Sequence, residues 1–278
     1  MTASDRVARW VATARPPSGA VAILRLGQSG FALRAGGVTL LVDPFLSARP
    51  DLLAPPVAGP EDLGAIDAVL ATHEHPDHLD VASWPRFASA GPAVRFVVPE
   101  PLVDRVSAAV LSDRVIGAAV DRRIDVAGAR IHPVPASHGV HVADAYTFGR
   151  EHSNGYHRYL GYVFELAGVR LYHAGDTVRY EGDAERLRAY DIDVALLPIN
   201  GRDAEREARD IVGNLGPVEA ADLAAAAGIP VVVPMHHDTV AGNTGRVADL
   251  FEYAERRRLA LSFAVLGLAG SIVLASGE

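Results

Sequence analysis

The sequence contains no cysteine in its 278 residues. This absence excludes disulfide bonds, thiolate metal sites and cysteine nucleophiles. Any metal site in this protein must therefore be built from histidine, aspartate and glutamate side chains. The eleven histidines of the chain are sufficient for such a site.

Aromatic residues are also scarce, at 6%, and Ala, Val and Leu carry most of the 49% hydrophobic content. That mixture is typical of buried strands covered by Ala-rich helices. No fixed-period repeat, low-complexity tract or flexible linker divides the chain. We therefore predict a single domain over residues 1–278, although length alone would allow two. Helical spacing of Val7, Trp10, Val11 and Ala14 predicts a helical extension within residues 1–19.

The chain has no excess of basic residues, because its net charge is −8 and its pI about 5.7. This balance argues against nucleic acid or an anionic membrane as a partner. Arginines interrupt the apolar residues near the N-terminus, so no signal peptide is predicted. The uncharged residues 259–275 are too few to span a bilayer and predict a terminal β-hairpin. We expect a cytoplasmic protein with a small-molecule substrate, and leave homo-oligomerisation open.

Hairpins and helices are interspersed along the sequence. Residues 21–26 and 38–42 flank a turn and predict one hairpin, and residues 159–172 predict another. Helices are predicted from Pro101, from Pro217 to Gly228, and over residues 247–258. A doubly wound parallel sheet would need regular strand–helix alternation, which these hairpins break. The pattern predicts an α/β fold, a four-layer αββα sandwich of two mixed β-sheets flanked by helices.

The most informative segment is the run His-Glu-His-Pro-Asp-His at residues 73–78, which directly follows an apolar strand. At an extended strand end, His73 and His75 point to the same side. Asp77 and His78 lie beyond a bend fixed by proline. The run is not the helical zinc-protease motif, because Asp77 stands where that motif needs histidine. Three histidines so close together after a buried strand indicate a metal site.

One strand end cannot complete a metal site, so further ligands must come from other loops. Three later positions share the same local pattern, an apolar strand that ends in His138, Asp176 or His236. Each alone would more often be an ordinary loop residue, but together with residues 73–78 they support one another. By contrast, His132 and His173 lie within apolar strands, and we interpret both as structural.

These elements resemble the metallo-β-lactamase superfamily over roughly residues 20–275. The run at residues 73–78 matches its H-x-H-x-D-H signature, and His138, Asp176 and His236 match its later elements in order. Asp43 matches the acidic residue that ends an early strand. Within the superfamily, the chain is most similar to the group containing L-ascorbate-6-phosphate lactonase.

The similarity to the lactonase group lies in residues 26–31, 172–177 and 234–238. Two departures leave the substrate open. Gln28 stands where many relatives have histidine, and the chain is shorter than the lactonase.

The resemblance implies two divalent ions, Zn²⁺ or Mn²⁺ with Fe²⁺ as a further candidate, because imidazole and carboxylate ligands suit all three. The implied ligands are His73, His75 and His138 for one ion, Asp77, His78 and His236 for the other, and Asp176 as a bridge. Asp43 would orient a ligand imidazole through its free N–H.

The resemblance also implies a hydrolase in which a metal-bound hydroxide opens a lactone or similar ester of a small anionic, sugar-phosphate-like substrate. Asp77 would orient the hydroxide and transfer its proton to the leaving group. Two alternatives stay open, a metal-dependent phosphodiesterase and an iron-dependent oxidoreductase with the same ligands. The candidate substrate contacts are Gln28, Arg158, Asn200, Arg202 and His237. The polar loop at residues 150–158 is a candidate lid.

Overall fold

The computed structural model of the chain describes residues 1–91, 93–110 and 113–275. Within them, the strands form two mixed sheets of seven strands each. The first sheet contains β1 (Ala20–Gly27), β2 (Gly30–Ala35), β3 (Val38–Val42), β4 (Ala68–Leu70), β5 (Arg95–Pro99), β6 (Val115–Ala118) and β14 (Ser271–Ala275). The second sheet contains β7 (Ile124–Val126), β8 (Ala129–Pro135), β9 (Leu160–Leu166), β10 (Val169–His173), β11 (Val194–Pro198), β12 (Val231–Met235) and β13 (Ser262–Phe263).

Both sheets have an antiparallel half and a parallel half. In the first sheet, β14, β1, β2 and β3 pair antiparallel, and β3, β4, β5 and β6 pair parallel. In the second, β7 to β10 pair antiparallel, and β10 to β13 pair parallel. Parallel neighbours end at the same edge of a sheet, so residues that follow β3 and β4, or β10 and β12, come together there.

The two faces of the first sheet belong to two different hydrophobic clusters. Leu40 and Val42 on β3 lie in a core shared with the second sheet, whereas Leu41 lies in an outer cluster with Trp10 and Trp84. Such alternation follows from the two-residue period of a strand.

The helices are α1 (Ala3–Thr13), α2 (Trp84–Ala90), α3 (Val103–Val110), α4 (Asp183–Arg188), α5 (Ala204–Glu207), α6 (Pro217–Ala227) and α7 (Val247–Arg257). The predicted αββα sandwich is confirmed.

Local sequence signals account for several element boundaries. Pro217 is the first residue of α6, and Gly228 ends that helix in the left-handed conformation. The hairpin predicted at residues 159–172 is formed by β9 and β10. The helix expected from Pro101 begins as a 3₁₀ turn and continues as α3. None of the helices in the described part of the chain is long and apolar enough to cross a membrane.

The terminal hairpin predicted for residues 259–275 is wrong. The strand β13 pairs with β12 in the second sheet, whereas β14 pairs with β1 in the first. The strand β14 extends the first sheet beside β1, and β13 extends the second sheet beside β12, whereas a hairpin would have placed both strands in one sheet. The first predicted hairpin also needs correction. Residues 21–26 pair with the intervening strand β2, and it is β2 that turns into β3.

Candidate metal centre

The residues of the candidate metal centre follow the ends of strands that meet at one edge of the sandwich. Asp43 follows β3, and His73 lies just beyond β4. In the second sheet, His138 lies beyond β8, Asp176 lies beyond β10 and His236 follows β12. The structure brings all seven predicted ligands into two adjacent groups.

The first group consists of His73, His75, His138 and Asp176, whose ligand atoms all lie within 4.8 Å of one another. The Nε2 atom of His73 is 2.9 Å from Nδ1 of His75, and Nε2 of His138 is 3.3 Å from the same Nδ1. Oδ2 of Asp176 is 3.7 Å from Nε2 of His138. Converging nitrogen lone pairs and a carboxylate are the donor set that a divalent cation needs.

The second group consists of Asp77, His78 and His236. Oδ2 of Asp77 is 3.6 Å from Nε2 of His236 and 3.9 Å from Nε2 of His78. Asp176 lies between the two groups, because its oxygens are 3.3 Å from Nε2 of His78 and 3.3 Å from Nε2 of His236. Nε2 of His78 and Oδ1 of Asp176 are buried and have no hydrogen-bond partner among the described residues. Such unpartnered ligand atoms are expected at a site that binds a cation.

The two groups differ in charge. Burial lowers the pKa of His138 to about 3 and holds the pKa of His73 well below its usual value. Burial also acts on His236, but the carboxylates of Asp176 and Asp77 outweigh it and raise its pKa to about 9. The imidazoles of His73 and His138 are therefore in the neutral form that binds a metal. In the second group, a metal ion would have to displace protons.

Asp43 contacts the Nδ1 side of the His78 ring, and Thr72 in turn donates hydrogen bonds to Asp43. Oδ2 of Asp43 is 2.6 Å from Nδ1 of His78, and it accepts a hydrogen bond of 2.7 Å from the hydroxyl of Thr72. Oδ1 of Asp43 accepts a hydrogen bond of 2.8 Å from the backbone N–H of Thr72. This is the contact expected of Asp43 from the sequence. The role of Thr72 was missed, although its position between β4 and His73 was a usable signal.

The two arginines predicted to contact substrate are both paired with carboxylates. Arg158 donates from Nε to Glu74 at 3.0 Å, and its Nη2 contacts the same oxygen. Arg202 donates from both Nη atoms to Glu219, each at 2.7 Å. Both guanidinium groups therefore have ion-pair partners within the protein.

Asn200 and His237 are buried beside the centre. Asn200 donates to Oδ1 of Asn243 at 2.8 Å and accepts from Asn214 at 3.1 Å, so its amide joins three loop segments. Burial lowers the pKa of His237 to about 4, so this imidazole is neutral. Neither side chain borders the cavity above the ligands.

Gln28, which was predicted to contact the substrate, is not at the surface of the cavity. It is fully buried, and its Nε2 is 2.8 Å from Oδ2 of Asp77.

The two histidines interpreted as structural are outside the ligand groups. His173 contacts the carbonyl oxygen of Ser29 at 2.8 Å, and His132 pairs with Glu165 at 2.8 Å.

A cavity of about 430 Å³ opens above both ligand groups. Its floor includes His75, Asp77, Asp176 and His236. Its walls include aliphatic residues and five polar ones, namely Ile211, Val212, Val240, Ala241, Arg49, Asp51, Arg209, Asp210 and Asn243. Sequence analysis missed these wall residues because no motif joins segments so far apart in the chain. The 150–158 loop instead lines a separate cavity of about 930 Å³, which none of the seven predicted ligands borders.

Comparisons with known proteins agree with this arrangement. The family described as "Beta-lactamase superfamily domain" matches residues 39–237. A metal-dependent hydrolase of Thermococcus onnurineus is 33% identical over 217 residues, covering 77% of this chain and 83% of that protein. A metal-dependent hydrolase of Rubrobacter xylanophilus is 30% identical over 261 residues, covering 89% of this chain and 94% of that protein.

A solved structure has the same fold. It is a metallo hydrolase from the archaeon Ignicoccus hospitalis, with a TM-score of 0.71 and 23% sequence identity. The alignment covers 93% of this chain and 100% of that structure.

Proposed function

The chain belongs to the β-lactamase superfamily domain family, and from this premise we propose that it is a metal-dependent hydrolase that opens a lactone or similar ester of a small anionic molecule. The observation that carries the proposal is the cavity whose floor is made of residues from both ligand groups. A volume of about 430 Å³ suits a small molecule rather than a polymer chain. The resemblance to the lactonase group supports the choice of bond.

The donor set of the two groups suits divalent ions. His73, His75 and His138 would hold one ion, Asp77, His78 and His236 would hold the second, and Asp176 would contact both. Bound there, such ions lower the pKa of a coordinated water and polarise the carbonyl of the substrate.

Asp77 is the residue placed to move a proton. Burial opposes its ionisation, but His78 and His236 hold its pKa well below the usual value, so the carboxylate is charged at neutral pH. The carboxylate borders the cavity floor, where the substrate would bind. It can accept the proton of the attacking water and pass it to the alkoxide that leaves when the ester C–O bond breaks.

Arg209 is the residue proposed to bind the anionic group of the substrate. The other charged residues of the cavity wall have partners. Arg49 and Asp51 pair with each other, and Asp210 pairs with His141, which lies outside the cavity lining. Among the described residues, Arg209 has no carboxylate within ion-pair distance, and its Nη2 donates one long hydrogen bond of 3.5 Å to the carbonyl oxygen of Gly242. This guanidinium therefore remains available to a carboxylate or phosphate.

The cavity walls also indicate the polarity of the part of the substrate that would contact them. Ile211, Val212, Val240 and Ala241 present aliphatic surface between the ligand groups and solvent. A sugar would need hydrogen-bond partners there, whereas a short aliphatic or alicyclic chain would not. We therefore favour an anionic lactone or ester with an apolar portion over a highly hydroxylated one.

The reaction is tested with purified protein, metal analysis and a panel of carboxylated lactones, uncharged lactones and phosphodiesters. We expect close to two divalent ions per chain and hydrolysis of the carboxylated lactones. Activity should be lost with a chelator and restored by Zn²⁺ or Mn²⁺. Protein that takes up no divalent ion on reconstitution, or that cleaves only phosphodiesters, would contradict the proposal.

The anion-binding role is tested with Arg209→Ala. We expect KM for a carboxylated lactone to rise about 10-fold or more, with kcat little changed, because a charge-assisted contact contributes about 1.5–3 kcal/mol. The KM for an uncharged lactone should stay the same. Arg246→Ala is the matched control, since Arg246 pairs with Asp249 on α7 and does not line the cavity. Equal effects on both lactones would contradict the role of Arg209.

A further inference from the structure

Gln28 occupies a tight turn that is tied to the loop carrying His236. Its backbone has a φ of 50°, in the left-handed region. Its N–H donates to the hydroxyl of Thr239 at 2.8 Å, and its carbonyl oxygen accepts from the N–H of His236 at 3.1 Å. His236 is itself left-handed, with a φ of 56°. Two strained residues thus hold each other in place, which is typical of functional sites.

The end of the Gln28 side chain lies among the ligand atoms of the second group. Its Nε2 is 2.8 Å from Oδ2 of Asp77 and 3.1 Å from Nε2 of His236. Both of these atoms are expected to face a metal ion. The Oε1 atom of Gln28 is buried and has no hydrogen-bond partner among the described residues. A half-turn about the last side-chain bond exchanges the two amide atoms within the same volume.

We propose that Oε1 of Gln28 is a further ligand of the metal ion held by Asp77, His78 and His236. With a cation in this group, an amide oxygen directed at it is favourable, whereas an amide N–H is not. Rotation of the Gln28 amide by a half-turn therefore directs Oε1, which has no hydrogen-bond partner in the described structure, at the cation. This inference rests on the metal-dependent function proposed above.

The chemistry of the donor changes the expected preference for metals. An amide oxygen is a neutral, hard donor, and carbonyl oxygens suit ions such as Mn²⁺ better than softer ones. The second group would then combine two imidazoles with oxygen donors from Gln28, Asp77 and Asp176. We expect this group to accept Mn²⁺ more readily than the first group, in which three of the four donors are imidazoles.

The proposal is tested by calorimetric titration of the metal-free full-length protein with Mn²⁺ and with Zn²⁺, in the absence of substrate. The main variant is Gln28→Asn, because asparagine tolerates the left-handed backbone but is one methylene shorter. We expect one of the two binding events to weaken about 10–100-fold and the other to stay unchanged. Gln28→Glu keeps an oxygen donor at the full length and should bind both equivalents at least as tightly as the wild type.

A second measurement separates ligand loss from misfolding. The visible absorption of the Co²⁺-loaded protein depends on the ligands around the ion, so it should change in Gln28→Asn and not in a merely destabilised variant. Thermal unfolding of the metal-free proteins provides the fold control.

Two outcomes would overturn different claims. If the wild type binds no divalent ion, the proposed function fails. If the wild type binds two ions and Gln28→Asn binds them equally well with an unchanged Co²⁺ spectrum, only the ligand role of Gln28 fails.

Discussion

Oδ2 of Asp43 lies 2.6 Å from Nδ1 of His78, and both side chains are fully buried. A carboxylate at this atom holds the imidazole proton on Nδ1. The other nitrogen, Nε2, is then free to face Asp176, 3.3 Å away. The contact therefore sets both the orientation and the tautomer of a proposed metal ligand.

Asp43→Asn should weaken metal binding about 10–100-fold, because the amide cannot match the charge and the two acceptor oxygens of the carboxylate. The fold should be retained, since asparagine tolerates the left-handed φ of 46° at this position. Competition with a chelator would measure the affinity. Asp67→Asn is the control, because Asp67 accepts a backbone hydrogen bond from Thr39 in the same sheet. Equal metal affinity in the two variants would contradict the role of Asp43.

Asp77→Asn should lower kcat at least about 100-fold even in excess metal, because a carboxamide cannot accept the proton of the attacking water. The variant keeps one oxygen donor of similar size, so we expect the circular dichroism spectrum to change little. The melting temperature of the metal-free protein should fall, because the asparagine side chain lacks the charge that interacts with His78 and His236. Steady-state kinetics alongside metal analysis would separate lost chemistry from lost metal. Turnover close to that of the wild type would rule out proton transfer by Asp77.

Gly175→Ala should destabilise the protein by about 3 kcal/mol or more and displace the neighbouring Asp176. Gly175 has a φ of +60°, and a Cβ there would lie 2.6 Å from the carbonyl oxygen of Leu160 and 2.9 Å from Cβ of Thr72. Both contacts are with well-packed atoms, so overpacking adds to backbone strain.

Gly128→Ala is the matched control for Gly175→Ala. Its φ is +87°, but a Cβ there meets nothing within 4 Å, so only the conformational cost of about 1 kcal/mol is expected. Urea unfolding of the two metal-free variants would measure the difference. Equal losses of stability would show that crowding around Gly175 is unimportant.

Glu219→Gln should lower stability at pH 7 by about 1 kcal/mol. Glu219 accepts hydrogen bonds from Arg202 and from the backbone N–H of Gly216 at the start of α6. Burial opposes its ionisation, but Arg202 and Gly216 hold the pKa of Glu219 below its ordinary value of 4.5. A depressed pKa stabilises the folded state above the unfolded value, and that stability is lost as the pH falls through the folded value.

The difference between the wild type and Glu219→Gln should therefore shrink as the pH falls below about 4.5. Urea unfolding at a series of pH values would measure it. Glu252→Gln on α7 is the control, because no partner of the Glu252 carboxylate is found in the part of the chain that the structure describes, and it should show no such trend. A difference that stays constant down to acidic pH would contradict the assigned cause.

The sequence alone determined the elements whose signals are local. Pro217 and Gly228 bound α6 because the fixed φ of proline suits a helix start and glycine accepts the left-handed end. The apolar strands preceding His73, His138, Asp176 and His236 marked these residues as candidate ligands, because the ends of neighbouring strands can lie at the same edge of a sheet. These patterns can be recognised in the sequence without knowing the order of the strands in the sheets.

Only the tertiary structure decided which distant segments meet. It placed β13 and β14 in different sheets and paired Arg158 with Glu74. It also brought Gln28 into contact with Asp77, which is 49 residues further along the chain. Hydrogen bonds and ion pairs form between whichever groups the fold brings within about 3 Å, and residue type alone does not specify the partner. The residues of the candidate metal centre could therefore be predicted from local sequence and the family resemblance, whereas the cavity wall above them, including Arg209, required the folded chain.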